Sequence, residues 1–159
     1  MRRLALGVLV AVSAIASVAC GSSGNGSAGG RVHTIDGTVT VTVASPTAWL
    51  AALPSAGRTA LTHGRPQRPC PPPPGALASV VDGASIEVHD GGGARVAVAP
   101  LAGSELTLAD GHATCTLTFT VHLPTDDQFT VIVGSVPPVT VDGKKLRHDG
   151  APLDIPLSG

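Results

Sequence analysis

Residues 115–123 show the clearest alternation of apolar and polar positions in this chain. They read Cys-Thr-Leu-Thr-Phe-Thr-Val-His-Leu, so apolar and polar side chains follow one another in turn. Because successive side chains of a β-strand point to opposite faces, this pattern predicts a half-buried strand with one core face and one solvent face. Pro124 ends it, since proline cannot donate to a sheet ladder.

Shorter stretches of the same alternation recur along the chain, separated by turn residues. We predict three hairpins: 32–44 turning at Asp36-Gly37, 85–99 turning at 90–93, and 139–147 turning at Asp142-Gly143. We also predict a strand at 105–108 followed by a turn at Asp110-Gly111, and a strand at 129–133 paired with 115–123. The last predicted strand is 153–157. Prolines at 137, 138, 152 and 156 suit open sheet edges. Together these features predict an all-β fold, a single antiparallel β-sandwich of the immunoglobulin-like or transthyretin-like type.

The segment between the first two hairpins lacks strand periodicity. Residues 48–53 are expected to form a short helical turn with Thr47 as its cap, and Trp49 is expected to plug one end of the core. Residues 55–69 are expected to be a long loop. The prolines at 71–74 predict a stiff polyproline II strut.

Composition narrows the classes of ligand. Charged residues make up 13% of the chain and the formal net charge is -1, so the chain lacks the excess of basic residues that binds a nucleic-acid backbone. The three aromatics, Trp49, Phe119 and Phe129, are too few for a stacking platform. Nucleic acid and oligosaccharide are therefore disfavoured as partners, and no cofactor is expected.

The first residues have the layout of a secretory signal. Arg2 and Arg3 precede an uncharged apolar run that is short for a bilayer span of about 20 residues. The run ends in Ala-Ser-Val-Ala-Cys at 16–20, which resembles the bacterial lipobox, whose cysteine becomes a lipid-modified N-terminus. A cleaved signal that happens to contain a cysteine and an uncleaved anchor helix remain as alternatives.

On the lipobox interpretation, Cys20 carries a diacylglycerol whose two acyl chains hold the protein on the extracytoplasmic face of the cell membrane. Residues 21–30 are rich in glycine and serine and predict a flexible tether. The predicted organisation is a lipoprotein signal peptide at 1–19, a lipidated tether at 20–30 and the sandwich domain at 31–159.

Two cysteines remain once Cys20 is assigned to lipid. In an exported chain this even remainder predicts a disulfide between Cys70 and Cys115, which would staple the long loop to the core. Two free thiols, or half of a metal site, are the alternatives.

One pattern over roughly 70–133 consists of a cysteine, glycines, a strand with its turn, and a second cysteine in an apolar strand: Cys70, Gly75, Val80, Gly83, residues 86–90, Leu101, Cys115 and Phe119. In this pattern the chain resembles a family of small secreted or lipid-anchored actinobacterial proteins of unassigned function. These are structural positions. Acidic and aromatic residues usually follow the first glycine, whereas this chain has Leu77, Ala78 and Ser79 there.

The six histidines are the main candidates for reactive groups. Imidazole is a good transition-metal ligand, and His89 and His122 lie on predicted outward faces, so they are the candidate metal ligands, although no His-x-His or His-x₃-His spacing supports them. Gly-x-Ser-x-Gly is absent from the sequence, and Ser104 is placed in a turn without a strand-to-helix elbow. The acidic pair Asp126-Asp127 is expected in a solvated loop.

The leading hypothesis is a cell-envelope lipoprotein whose sandwich binds an envelope protein or another ligand and performs no catalysis. An extracytoplasmic metal or small-ligand binder using surface histidines is the second hypothesis. A hydrolase whose site assembles only in the folded chain is the third. The basic stretch 144–147 is expected to be a charged edge strand, with contact to anionic headgroups as its alternative.

Overall fold

The computed structural model describes residues 31–149 and 152–159, and in this part of the chain two four-stranded β-sheets pack face to face. The first sheet has the strand order β4-β5-β1-β8 and the second has the order β3-β2-β6-β7. The strands are β1 (His33–Val43), β2 (Ser85–Asp90), β3 (Arg95–Pro100), β4 (Ala102–Ala109), β5 (His112–Leu123), β6 (Gln128–Val133), β7 (Val139–Asp142) and β8 (Leu153–Ser158). The predicted β-sandwich is confirmed, and one pair, β1 with β8, is parallel.

Strand β5 is the predicted 115–123 strand, extended by three residues at its start. Its burial alternates along its length, and it pairs with β1 from His33 opposite Leu123 to Val43 opposite Ala113. Cys115, Leu117 and Phe119 point into the core, while the threonines between them face outward. The half-buried strand predicted from the alternation is therefore confirmed.

The predicted turn at Asp36-Gly37 is wrong, because β1 runs unbroken through both residues. Gly37 lies opposite Phe119 in the ladder, and the phenyl ring occupies the space a side chain at 37 would need. Asp36 faces outward and accepts a 2.7 Å hydrogen bond from the Thr120 hydroxyl. Asp-Gly is favoured in the turns of hairpins, but it does not by itself force the chain to reverse. Here β1 continues through both residues because it stays paired with β5.

In the described residues three helices interrupt the strands: α1 (Thr47–Ala51), α2 (Ser55–Thr62) and α3 (Gly143–Asp149), with a 3-10 turn at Gly75–Leu77. None of the described helices is long and apolar enough to cross a bilayer. The helical turn near 48–53 is confirmed, but Thr47 is its first residue and no side chain caps it. Trp49 is buried, as expected, and its Nε1 donates to the Pro71 carbonyl at 2.8 Å.

The predicted 55–69 loop is wrong in its first half, which forms α2. Gly57 and Leu61, four residues apart, form its buried face. Gly64 ends the helix with φ of +71°, Arg65 N donates to Ala60 O and Gly64 N donates to Leu61 O. These two bonds make a Schellman motif, in which glycine is favoured.

The predicted strand at 144–147 is also wrong, because these residues lie in α3. The Asp142 carboxylate accepts hydrogen bonds from Lys144 N at 2.8 Å and Lys145 N at 3.4 Å, as a helix N-cap does. Leu146 is buried against the core. The Asp142-Gly143 pair therefore starts a helix and does not reverse a hairpin.

Strand β6 does not pair with β5, contrary to the sequence prediction. It lies in the second sheet between β2 and β7, with Phe129 opposite Asp90 on one side and Val141 on the other. The connection at 124–127 therefore crosses from one sheet to the other. Alternation specifies which face of a strand is buried, but it carries no information about which strand lies beside it.

The hairpin at 85–99 and the turn at Asp110-Gly111 are confirmed as the β2–β3 and β4–β5 connections. The last strand is confirmed as β8, and Pro156 lies in it at the edge of the first sheet, where a missing N–H costs little. Cys70 and Cys115 form the predicted disulfide, with a Cα–Cα distance of 6.2 Å. The predicted signal peptide, tether and lipidated Cys20 lie outside the described residues.

Candidate functional site

The two candidate metal ligands lie in different sheets. His89 is on β2, where its Nδ1 is 3.1 Å from the Gly93 carbonyl and its Nε2 is 3.5 Å from a Glu87 carboxylate oxygen. His122 is on β5, where its Nδ1 is 3.1 Å from the Thr34 hydroxyl. Because the outer faces of two packed sheets point in opposite directions, these imidazoles cannot share one ion.

The part of the chain that the structure describes contains no group of three or more His, Cys, Asp or Glu side chains arranged to hold a metal ion. Each candidate histidine instead has polar neighbours on its own face of the sheet.

Ser104 is a buried polar residue that the sequence assigned to a turn. It lies inside β4 next to Gly103, whose φ is +63°, at a break in the ladder with β5. Only 2% of Ser104 is exposed, and its hydroxyl donates to the Asp82 carboxylate while accepting from Cys70 N at 3.0 Å. Ser104 N donates to Asp82 Oδ1 at 3.1 Å.

These contacts make Ser104 a structural anchor. Its hydroxyl proton and an oxygen lone pair are both engaged, and the contacts join the loop at 82 to the backbone beside the disulfide. A nucleophilic serine needs a base that takes its proton and open space for a substrate. The surroundings of Ser104 instead hold its hydroxyl in two hydrogen bonds and bury it away from solvent.

We use "strap" for residues 65–77, the segment that runs from the end of α2 through Cys70 and the prolines to the 3-10 turn. Gln67 makes two backbone hydrogen bonds with Leu106 of the edge strand β4, at 2.8 and 2.9 Å. Arg68 forms an ion pair with Glu105 on the same strand. The strap therefore covers the β4 edge, which would otherwise present unpaired backbone groups.

A polar cleft of about 410 Å³ opens where β1 begins. It lies between residues 33–36 of β1, Leu146 and Arg147 of α3, and Pro152. Parallel pairing of β8 with β1 starts only at Gly37 opposite Leu153, so the first residues of β1 extend beyond it. This end of the sandwich is also where the chain enters the domain, since the Thr125 hydroxyl donates to the Arg31 carbonyl at 3.1 Å.

Two basic residues of α3, Lys144 and Arg147, contact the acidic residues of the β5–β6 connection. Arg147 donates to the Asp126 carbonyl and, at 3.0 Å, to an Asp127 carboxylate oxygen. Lys144 Nζ lies 3.1 Å from the other oxygen of Asp127. The hydrogen bond from Lys144, together with the Arg147 guanidinium, lowers the pKa of Asp127 below its usual value. Asp127 thus offsets one of the positive charges of α3 and lies between Lys144 and Arg147.

Sequence reasoning placed His89, His122 and Cys115 on their strands and faces. It missed the buried hydrogen bonds of Ser104 and the position of Arg147 in the cleft. Both have signals that are visible in hindsight. Gly103 marks a bulge that turns the next side chain inward, and Asp142 is a capping residue at the start of α3.

Comparison with protein-family models, with curated proteins and with solved structures finds no match for this chain.

Proposed function

We propose that this chain is a lipid-anchored protein of the bacterial cell envelope. In this proposal Cys20 bears the diacylglycerol, residues 21–30 are the tether, and the sandwich acts as a binding module on the extracytoplasmic face of the membrane. The resemblance of 70–133 to small exported actinobacterial proteins agrees with this placement.

The Cys70–Cys115 disulfide carries the argument. Disulfides persist in oxidising compartments and are rare in the reducing cytosol. The chain has three cysteines, and the pairing of two leaves Cys20 as the third. Cys20 is also the residue that follows the positive n-region, the apolar run and the small residues, which is the order that lipoprotein processing requires.

Binding is proposed over catalysis because the candidate reactive groups are engaged in structural contacts. The Ser104 hydroxyl joins Asp82 to the strap, and the acidic residue Asp127 is paired with Lys144 and Arg147. A sandwich with rigid strands and connecting loops at both ends suits presentation of a binding surface.

Mass spectrometry of the full chain, expressed with its own leader in a bacterium and purified from membranes, tests the anchor. We expect an N-terminal Cys20 carrying the mass of a diacylglyceryl group and partitioning of the protein into detergent. Cys20→Ala is the matched variant and should lose both properties, whereas Cys70→Ser should keep them. An unmodified Cys20 in the membrane-purified product would overturn the proposal.

Capture experiments test the binding role. The lipidated protein, immobilised through a tag at its C-terminus, is exposed to detergent extracts of cell envelopes and compared with the same protein unfolded by reduction and heat. We expect at least one component retained only by the folded form. Equal recovery by both forms across several ionic strengths would contradict a binding module.

A further inference from the structure

Five consecutive Asp-Gly pairs lie within the part of the chain that the structure describes, and their surroundings differ. They begin at Asp36, Asp82, Asp90, Asp110 and Asp142. Because glycine has no Cβ, its backbone nitrogen is not shielded from the carboxyl carbon of the preceding aspartate. Each pair could therefore react with itself if its carboxylate and its glycine nitrogen were free to approach one another.

At four of the five pairs both groups are held by other parts of the fold. The carboxylates accept hydrogen bonds at 2.7–3.1 Å: Asp36 from the Thr120 hydroxyl, Asp82 from Ser104 N, Asp90 from Gly92 N and Ala94 N, and Asp142 from Lys144 N. The glycines are also engaged: Gly83 N donates to Leu101 O at 2.8 Å, Gly143 N donates to Asp127 O at 3.0 Å, Gly91 N lies 3.5 Å from an Asp126 carboxylate oxygen, and Gly37 lies in β1 between β5 and β8. Groups held in this way cannot reach the aligned separation of about 3–3.5 Å that a reaction needs unless those contacts break.

The exception is the two-residue turn between β4 and β5. Among the described residues, no hydrogen bond or ion pair involves the Asp110 carboxylate or Gly111 N. Both residues are exposed, and no atom lies within 4 Å of the position that a Cβ on Gly111 would take. Neither reactive group is therefore restrained by the rest of the fold.

The backbone of this turn also favours local opening. Asp110 has a φ of +50°, and among the described residues it is the only one other than glycine with a positive φ. The left-handed region is unfavourable for a residue with a Cβ, so Asp110 loses little when it leaves that conformation. The tip of a hairpin can open at a small fraction of the free energy of global unfolding, and the pairing of Ala109 with His112 marks where the β4–β5 ladder begins.

We infer that Asp110 is a site of spontaneous isomerisation to isoaspartate. Gly111 N attacks Asp110 Cγ, the N–Cγ bond forms, and the bond from Cγ to one carboxyl oxygen breaks. That oxygen leaves as water with the carboxyl and amide protons, and the product is a cyclic succinimide.

Water then opens the ring at either carbonyl. Attack at Cγ breaks the new N–Cγ bond and restores aspartate. Attack at the main-chain carbonyl breaks the original peptide bond and leaves the chain linked through Cγ, which is isoaspartate. Water is the only co-reactant, and the product adds one methylene to the backbone of a two-residue turn. The inference is independent of the proposed function, since it requires only the folded domain.

Mass spectrometry of the purified full chain tests the site. The folded protein and the same protein in guanidinium are incubated at neutral pH in water labelled with heavy oxygen. Each passage through the succinimide introduces one solvent oxygen, so fragmentation of proteolytic peptides reports the labelled fraction at every Asp-Gly pair. Asp110→Glu is the matched variant, because it keeps the carboxylate while the ring that attack would close is one atom larger. Circular dichroism verifies that the variant keeps the strand signal.

In the folded chain we expect Asp110 to acquire label at least about tenfold faster than the other four described pairs, and to lose this lead in guanidinium, where no fold restrains any pair. In Asp110→Glu, residue 110 should acquire label at least about tenfold more slowly, with the other pairs unchanged. The inference is overturned by label spread evenly over the five pairs of the folded chain, or by its absence from Asp110 while the denatured chain reacts. An unchanged rate in Asp110→Glu would also overturn it, as would a lead that persists in guanidinium, since the flanking residues and not the fold would then set the reactivity.

Discussion

Replacement of Gly37 by alanine tests the packing at the centre of the first sheet. Gly37 is a buried residue of β1 that faces Phe119 on β5. An added Cβ would lie 2.2 Å from Phe119 Cζ and 2.7 Å from both Cε atoms, far inside van der Waals contact. The ring is 4% exposed and packed within the core, so it cannot move aside without displacing its neighbours.

Two opposing effects set the change in the free energy of unfolding caused by Gly37→Ala. Alanine loses less backbone entropy than glycine in a strand, which favours the variant by about 0.5–1 kcal/mol. Overpacking of a core costs about 1–3 kcal/mol. Because the contact falls on a rigid ring and three of its atoms, we place the overpacking cost at the upper end, about 3 kcal/mol, and expect a net destabilisation of about 2–2.5 kcal/mol.

A double-mutant cycle in urea unfolding identifies the cause. Phe119→Leu removes the clashing ring atoms, so Gly37→Ala should cost less in that background, with a coupling energy of about 1 kcal/mol or more. Gly91→Ala is the matched control, since its added Cβ would meet nothing closer than 3.8 Å and Gly91 has no positive φ. We expect that control to stay within about 0.5 kcal/mol of the parent.

The reasoning is refuted if Gly37→Ala has the same unfolding midpoint as the parent, or if its cost is unchanged in the Phe119→Leu background. The first result would mean that the ring has room to shift. An unchanged cost in the Phe119→Leu background would mean that the loss of stability arises elsewhere in the strand.

Three further predictions concern the strap and α3. Cys70→Ser should lower the free energy of unfolding by about 4 kcal/mol, the loop-closure value for the 45-residue separation, and added reductant should then have no further effect on the variant. Ser104→Ala leaves Cys70 N and the Asp82 carboxylate without their partner and should cost about 1–3 kcal/mol in denaturant unfolding, whereas Ser104→Thr, which keeps the hydroxyl, should cost less than Ser104→Ala if the hydrogen bonds matter. Because the pKa of Asp127 is lowered in the folded chain, its contribution is present above the ordinary value of 3.8 and is lost as pH falls through the lower folded value. Urea midpoints of Asp127→Asn and the parent should therefore differ slightly at neutral pH and converge in acid, and a constant difference at every pH would contradict the Lys144 contact as the cause.

The amino-acid sequence by itself determined which residues face the core. Alternation is a local property with a period of two, so the inward row of β5 and the hairpin at 85–99 could be read without knowledge of the rest of the chain. The cysteine pairing also followed from a count, once Cys20 had been set aside for lipid.

Only the tertiary structure decided which strands are neighbours and how the ambiguous Asp-Gly pairs behave. The pair at Asp36 continues a strand because Phe119 fills the space beside Gly37, and the pair at Asp142 starts a helix because Leu146 finds a place in the core. The turn signals at these two places are alike, and the contacts that separate them come from residues distant in sequence. The partner of β6 is set in the same way, since its alternating pattern would fit either sheet and long-range packing selects β2 and β7.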